Sequence, residues 1–274
     1  MNVTWWCAAQ TGPWTWAPQA YPGIWLFQLG LLGLYVWALL RVGPSRVAPG
    51  EPVATRAQVG WFLLGWVLLW ITLDWPLGPL AAGYLLSAHM VQYVLIIWFA
   101  APLLESGLPS WMRSDLLASR ALAPLGWIAA RPFRAFLLFN VVLVLTHVPY
   151  VADTLKPLQF GSMAIDLLWV GSAFLFWLST SPAREPQRPE VAYGRQFLYV
   201  MGIKVIPILL GAFLVLADFP LYRTFELAAR AIEDVPALND QVFAGWLMWM
   251  GTTPLLIYRL ARAFFTWHAL EESR

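Results

Sequence analysis

The chain has 274 residues, 60% of them hydrophobic and 16% aromatic, with only 12% charged and a formal net charge of +2; its mean hydropathy is +0.63. That leaves too little polar surface for a water-soluble globule and indicates an all-α polytopic membrane helix bundle whose first partner is the lipid bilayer. So small a net charge, with no basic patch interleaved with aromatics, makes no case for nucleic acid, and the single cysteine, Cys7, excludes an intrachain disulfide framework or a Cys-Cys metal motif.

In chain order, residues 1–23 lack a basic n-region and are interrupted by Pro13, Pro18 and Pro22. They read as an external, aromatic-rich arm rather than a cleavable signal. Trp5, Trp6, Trp14 and Trp16 are expected at the outer interface, where indole rings settle among headgroups. Seven stretches then approach the roughly 20 apolar residues that a span needs: 24–40, 59–73, 80–104, 133–151, 163–178, 197–217 and 242–264. The domain organisation is thus an arm, a transmembrane domain of about seven helices over residues 24–265, and a cytoplasmic tail over 266–274. Pro207 is expected to bend the sixth span, and Lys204, near the inner end of that span, to snorkel to the surface.

The cations divide unevenly between the two sides. Arg41, Arg46, Arg56, Arg113, Arg120, Arg131, Arg134, Arg184, Arg188, Arg195, Arg259, Arg262 and Arg274 fall on one side; Lys156, Arg223 and Arg230 fall on the other, with Lys204 inside a span. Thirteen against three places the first side in the cytoplasm, the N-terminus outside and the C-terminus inside.

That orientation sets depth. His89, early in an inward-running helix, and His147, late in an outward-running one, share the outer half of the membrane and can meet, while His268 belongs to the inner tail. An ionisable residue inside a span marks a functional site unless it is simply hydrogen-bonded to a neighbour, and both readings stay open. Gln92 and Tyr93 lie one helical turn from His89 on the same stripe. On the same side fall Met90, Asp153, Asp218, Asp240, Gln241 and Met248. Imidazoles with thioether sulfurs suit Cu(I); the bland alternative makes the methionines core filler and the acids a solvated loop. No P-loop, G-x-S-x-G, H-E-x-x-H or C-x-x-C occurs, so no recognisable catalytic site is offered and a non-enzymatic role is expected.

Five motifs occur in order: Ser87-Ala88-His89-Met90-Val91-Gln92; Ala101-Pro102-Leu103-Leu104 with Gly107-Leu108-Pro109; Leu138-Phe139-Asn140 through His147-Val148-Pro149 to Asp153; Pro220-Leu221-Tyr222; and Asp240-Gln241 with Gly245 and Met248. Together, from about the third helix onward, they resemble the CtaG-like, caa-type cytochrome c oxidase assembly factors. The resemblance implies a multi-pass protein of the bacterial plasma membrane that takes part in maturing haem-copper oxidase, with oxidase subunits as partners and copper as the metal supplied or inserted. It carries His89, Met90, His147, Asp240 and Gln241 over as matching motif positions. The chain departs from the family where relatives have a second histidine, here Tyr93, and a histidine near the start of the fifth helix, here Ile165 and Asp166. Fewer histidines would then hold metal, or Cys7, a methionine or a carboxylate would be recruited, or docking alone would remain. Three roles follow as expectations: an assembly factor, an accessory structural subunit of the oxidase, or a haem b electron carrier with His89 and His147 as axial ligands.

Overall fold

A computed structural model describes residues 4–10, 12–120, 122–181 and 189–272. Arg184, Arg188 and Arg274, used above for orientation, lie outside them. Of the described residues 75% are helical and none lies in a strand.

Helix α1 (Pro22–Trp37) begins with proline at its first position, where no amide hydrogen is needed, and runs on through a π-helical turn (Ala38–Val42) and a 3-10 turn (Gly43–Ser45). It turns Leu26, Leu29, Leu34 and Trp37 outward, as a lipid-facing helix would. Helix α2 (Arg56–Leu73) starts at a capping box: Gln58 N–H donates to the Thr55 hydroxyl, and the Gln58 side-chain oxygen accepts from Thr55 N–H.

The expected span 80–104 is divided. Short α3 (Leu77–Gly83) ends before Leu85, whose backbone is extended, and α4 (Leu86–Val94) restarts beyond it. Helix α4 then continues through a π-helical stretch (Leu95–Ala100) into α5 (Ala101–Ser106). The wider turn loosens two carbonyls, and other helices take them up: Ile97 O accepts from Trp177 Nε1 at 2.7 Å and Trp98 O from Arg259 at 3.5 Å.

Two short helices, α6 (Ser110–Ala118) and α7 (Ala123–Ala129), lead to α8 (Pro132–His147). Pro149 stops α8 by pushing Val148 into an extended conformation, then opens α9 (Pro149–Leu155). Helix α10 (Gln159–Thr180) crosses the centre of the molecule. The expected sixth span is α11 (Pro189–Gly202) plus α12 (Val205–Leu216), and the break falls at Ile203-Lys204 because the Pro207 ring excludes the carbonyl four residues earlier. A single turn, α13 (Arg223–Glu226), precedes α14 (Ala237–Met250) and α15 (Thr253–Glu272), which are separated in the same way ahead of Pro254.

Lys204 does not snorkel. It is 4% exposed, and its ammonium donates to Met248 O at 3.1 Å and to the Thr252 hydroxyl. The break between α14 and α15 thus offers it a backbone carbonyl and a hydroxyl, so the cation is better placed there than at the surface.

Among the described residues, five stretches are long and apolar enough to cross a membrane: Pro22–Ser45, Arg56–Leu73, Leu86–Ser106, Gln159–Thr180 and Val191–Leu216. The pair Ala123–Ala129 and Pro132–His147, bent by 105°, makes six if it counts as one broken span. The expected count of about seven would need α14 and α15 together. Helix α14 has only 14 residues, and α15 carries Arg259, Arg262, His268 and two glutamates.

The core joins α4, α8, α10 and α14. Helices α12 and α14 cross at Gly211 and Gly245, where backbone meets backbone: a Cβ on Gly245 would lie 2.7 Å from the Gly211 carbonyl oxygen. Gly245→Ala is therefore expected to lower stability by about 1–3 kcal/mol through overpacking. The unfolding midpoint of the purified variant in detergent checks this; an unchanged midpoint would mean that the crossing yields freely.

Candidate functional site

The two histidines meet at helix ends. His89 stands in the first turn of α4 and His147 is the last residue of α8, with ring centroids 5.9 Å apart. Both side chains are buried, and each ring has one nitrogen committed and one without a partner. His147 Nδ1 donates to the Leu143 carbonyl at 2.8 Å, which leaves Nε2 as a bare acceptor. The His89 ring has a backbone partner at Ala81, while its Nδ1 has none. A buried polar atom with no hydrogen bond costs free energy, and a ring whose tautomer is set by one bond presents the other nitrogen's lone pair as a ligand.

Aromatic rings wall the pair. Trp169 stacks on His147 at 5.5 Å with 14° between planes, lies 4.8 Å from His89, and is fixed by its own N–H on the Thr146 hydroxyl at 2.9 Å. Tyr93 stands 5.7 Å from both His147 and Trp169, and its buried hydroxyl has no partner. Phe225, from α13, closes the His89 side at 5.9 Å.

The other expected residues separate into three groups. Gln92, one turn from His89, donates to Thr72 O at 3.2 Å and ties α4 to α2. Met90 and Met248 are wholly buried in the core; Met248 lies eight residues beyond Asp240, about 12 Å along α14. Asp218 is exposed in the bend after α12.

The polar residues brought near the site hold backbone. Asp240 accepts from Leu86 N–H at 2.6 Å and Ser87 N–H at 3.3 Å, so α14 supplies the N-terminal cap that α4 lacks in its own sequence. Gln241 accepts from Leu221 N–H at 2.7 Å and donates to Phe219 O at 3.2 Å. Asp153 accepts from the Arg223 and Thr224 amides at 3.1 and 2.9 Å, which seats α13 over the histidines. Tyr222 then donates to the His147 carbonyl at 2.7 Å. Asp240→Ala is expected to cost about 1 kcal/mol, at most about 2, with Asp240→Asn restoring most of it because an amide oxygen also caps. Unfolding midpoints of the two variants measure this, and equal losses would show that the negative charge rather than the cap matters.

Nothing in the sequence distinguishes Trp169 from other span tryptophans, and of the arm tryptophans Trp6 departs from the expected interfacial position. Trp6 is 1% exposed and donates to Asp166 at 2.9 Å instead of resting at the membrane interface. Asp166 also faces the Lys156 ammonium at 3.5 Å in a fully buried pair. Cys7, packed beside them, donates to Leu73 O at 3.4 Å. Burial first, then the Asp166 carboxylate, raises its thiol well above the ordinary range and keeps it protonated.

Among the described residues no group of three or more His, Cys, Asp or Glu side chains converges as a metal site. The arrangement therefore offers two neutral imidazole ligands in an apolar, aromatic enclosure.

No curated protein and no solved structure matches the chain. The family model described as cytochrome c oxidase caa3 assembly factor (Caa3_CtaG) matches residues 33–269, reaching from α1 almost to the end of α15 and so well beyond the motifs. With helices α2 to α14 and its five ordered motifs inside that match, the chain belongs to the cytochrome c oxidase caa3 assembly factor family.

Proposed function

We propose that this protein assists the maturation of a caa3-type cytochrome c oxidase in the bacterial plasma membrane by receiving copper from the outer face and passing it to an oxidase subunit. The observation that carries the reading is the pair of bare imidazole nitrogens, His89 Nδ1 and His147 Nε2, on adjacent buried rings with centroids 5.9 Å apart. Copper is here the cargo, not a resident cofactor. Imidazole is a suitable ligand for it, and two neutral ligands without a thiolate hold it less firmly than a storage site would, which suits onward transfer.

The surroundings support the same reading. Trp169 and Tyr93 exclude water, and α13, held by Asp153, stands between the histidines and the outside. Met90 and Met248 are left as packing, and Gln92, Asp240 and Gln241 as positioning residues that set the helix ends. A haem would require room for a macrocycle at the pair, and Trp169 packs beside both rings, 4.8 Å from His89 and 5.5 Å from His147; that packing favours a bare ion. The cation asymmetry supports an external N-terminus and an external site.

Deleting the gene is expected to leave the oxidase polypeptides made and haem present, with copper deficient and activity low. Copper and haem content of the purified oxidase measure this. Normal copper loading and activity would reject the assembly role, and recovery of the protein in stoichiometric amount with mature oxidase would replace it with a subunit role.

A further inference from the structure

A cavity of about 610 Å³ opens at the end of the bundle opposite the histidines. Its walls include Gln58 in the first turn of α2, Glu105 and Ser106 in the last turn of α5 and Ser181 just past α10, so three candidate spans end there together. Glu105 stands 16 residues from His89, about 24 Å along the helical rise, and the cavity therefore has no part in the histidine site.

Its charge is unbalanced. Among the described lining residues Arg113, Arg259 and Arg262 face a single carboxylate, Glu105. Glu105 is engaged by Arg113 at 3.0 Å. Arg259 sits over Trp177 with its guanidinium carbon 4.4 Å from the ring centroid, makes one long contact to Trp98 O at 3.5 Å, and keeps a buried Nε with no partner. A guanidinium seated on an indole, with an unused buried donor and a second arginine lining the same cavity, is a receptor for a planar or tetrahedral oxyanion. The remaining wall mixes apolar residues, Trp61, Leu103 and Val200, with uncharged polar ones such as Tyr193 and Gln196.

We propose that this cavity binds a phosphate-bearing anion through Arg259 and Arg262. The ligand the lining fits best is the headgroup and upper acyl chain of an anionic phospholipid in the leaflet on the side of the cationic loops. Basic pockets between transmembrane helices on that side recognise such headgroups, the volume is that of an ordinary ligand site, and the mixed lining matches an amphiphile better than an ion alone.

The full chain, purified and placed in phosphatidylcholine nanodiscs containing a minor fraction of phosphatidylglycerol, tests this by native mass spectrometry. The wild type is expected to retain phosphatidylglycerol in preference to phosphatidylcholine, and Arg259→Gln with Arg262→Gln to lose about tenfold or more of that preference. Because Arg259 also packs on Trp177, the exposed Arg262→Gln alone serves if the double variant fails to fold, with a smaller loss expected. Retention of neither lipid, together with protection from thermal unfolding by millimolar inorganic phosphate that the variant loses, would keep the anion site and identify a soluble phosphate as its ligand. Binding of neither anion, or equal binding by wild type and folded variant, would overturn the proposal.

Discussion

His89→Gln and His147→Gln are each expected to remove nearly all of the copper that the factor contributes to the oxidase, and the double variant to remove little more. The expectation rests on the two bare nitrogens belonging to one ion: groups that act as a unit are non-additive. Glutamine retains hydrogen-bonding ability and occupies similar volume, yet an amide is a poor ligand for soft copper. If the histidines served only as interhelical hydrogen-bond partners, each change would cost roughly 1 kcal/mol or less, independently, and would show as lowered abundance. Oxidase copper content, normalised to the amount of variant in the membrane, separates the outcomes. Full copper at normal abundance in both single variants would end the transfer-site reading. Tyr93 provides a second check, because its ring stands 5.7 Å from that of His147 and one helical turn from His89. Tyr93→His places a third imidazole there, and tighter copper retention by the purified variant is the expected result.

The largest effect on stability is expected at Lys156 and Asp166. Their side chains are 1% and 3% exposed and 3.5 Å apart, and Asp166 also accepts the Trp6 indole N–H at 2.9 Å. Removing one partner strands the other charge in a medium that cannot solvate it, so Asp166→Asn or Lys156→Met should cost about 3–5 kcal/mol. Replacing both, as Lys156→Met with Asp166→Asn, removes the stranded charge and should recover most of the loss. Unfolding midpoints of the four proteins in detergent complete the cycle, and single losses below about 1 kcal/mol would mean that water reaches the pair. The pair also anchors the arm, since the Lys156 carbonyl accepts from Ala9 N–H at 2.9 Å. The singles are therefore expected to expose Cys7 to thiol reagents as well. Asp166 lies one turn from Trp169, and its carboxylate offsets the Lys156 ammonium, 5.9 Å from that indole, behind a site proposed to receive a cation.

The capping and lid contacts show why motif positions were recognisable before their roles were. Asp240-Gln241 and Asp153 fall in ordered motifs, and carboxylates near two histidines suggest ligands. Placed in three dimensions they accept backbone amides of Leu86, Ser87, Leu221, Arg223 and Thr224. Spacing along a chain cannot reveal this, because the acceptors and donors are 20 to 154 residues apart. Lys204 shows the same limit. A lysine near a span end is expected to reach for water, yet the break between α14 and α15 gives it acceptors inside.

What the sequence by itself determined was class, approximate spans, the family, and the meeting of His89 with His147. These follow from quantities additive along the chain: apolar length against bilayer thickness, and depth from the position of a residue within a span. Tertiary structure alone decided which nitrogens stay bare, that Trp6 and Cys7 enter the core, that Asp240 caps a helix it does not belong to, and that three arginines share one cavity with a single carboxylate. Each of these depends on which groups from distant segments compete for the same donor, acceptor or charge, and that competition is settled only when the helices pack.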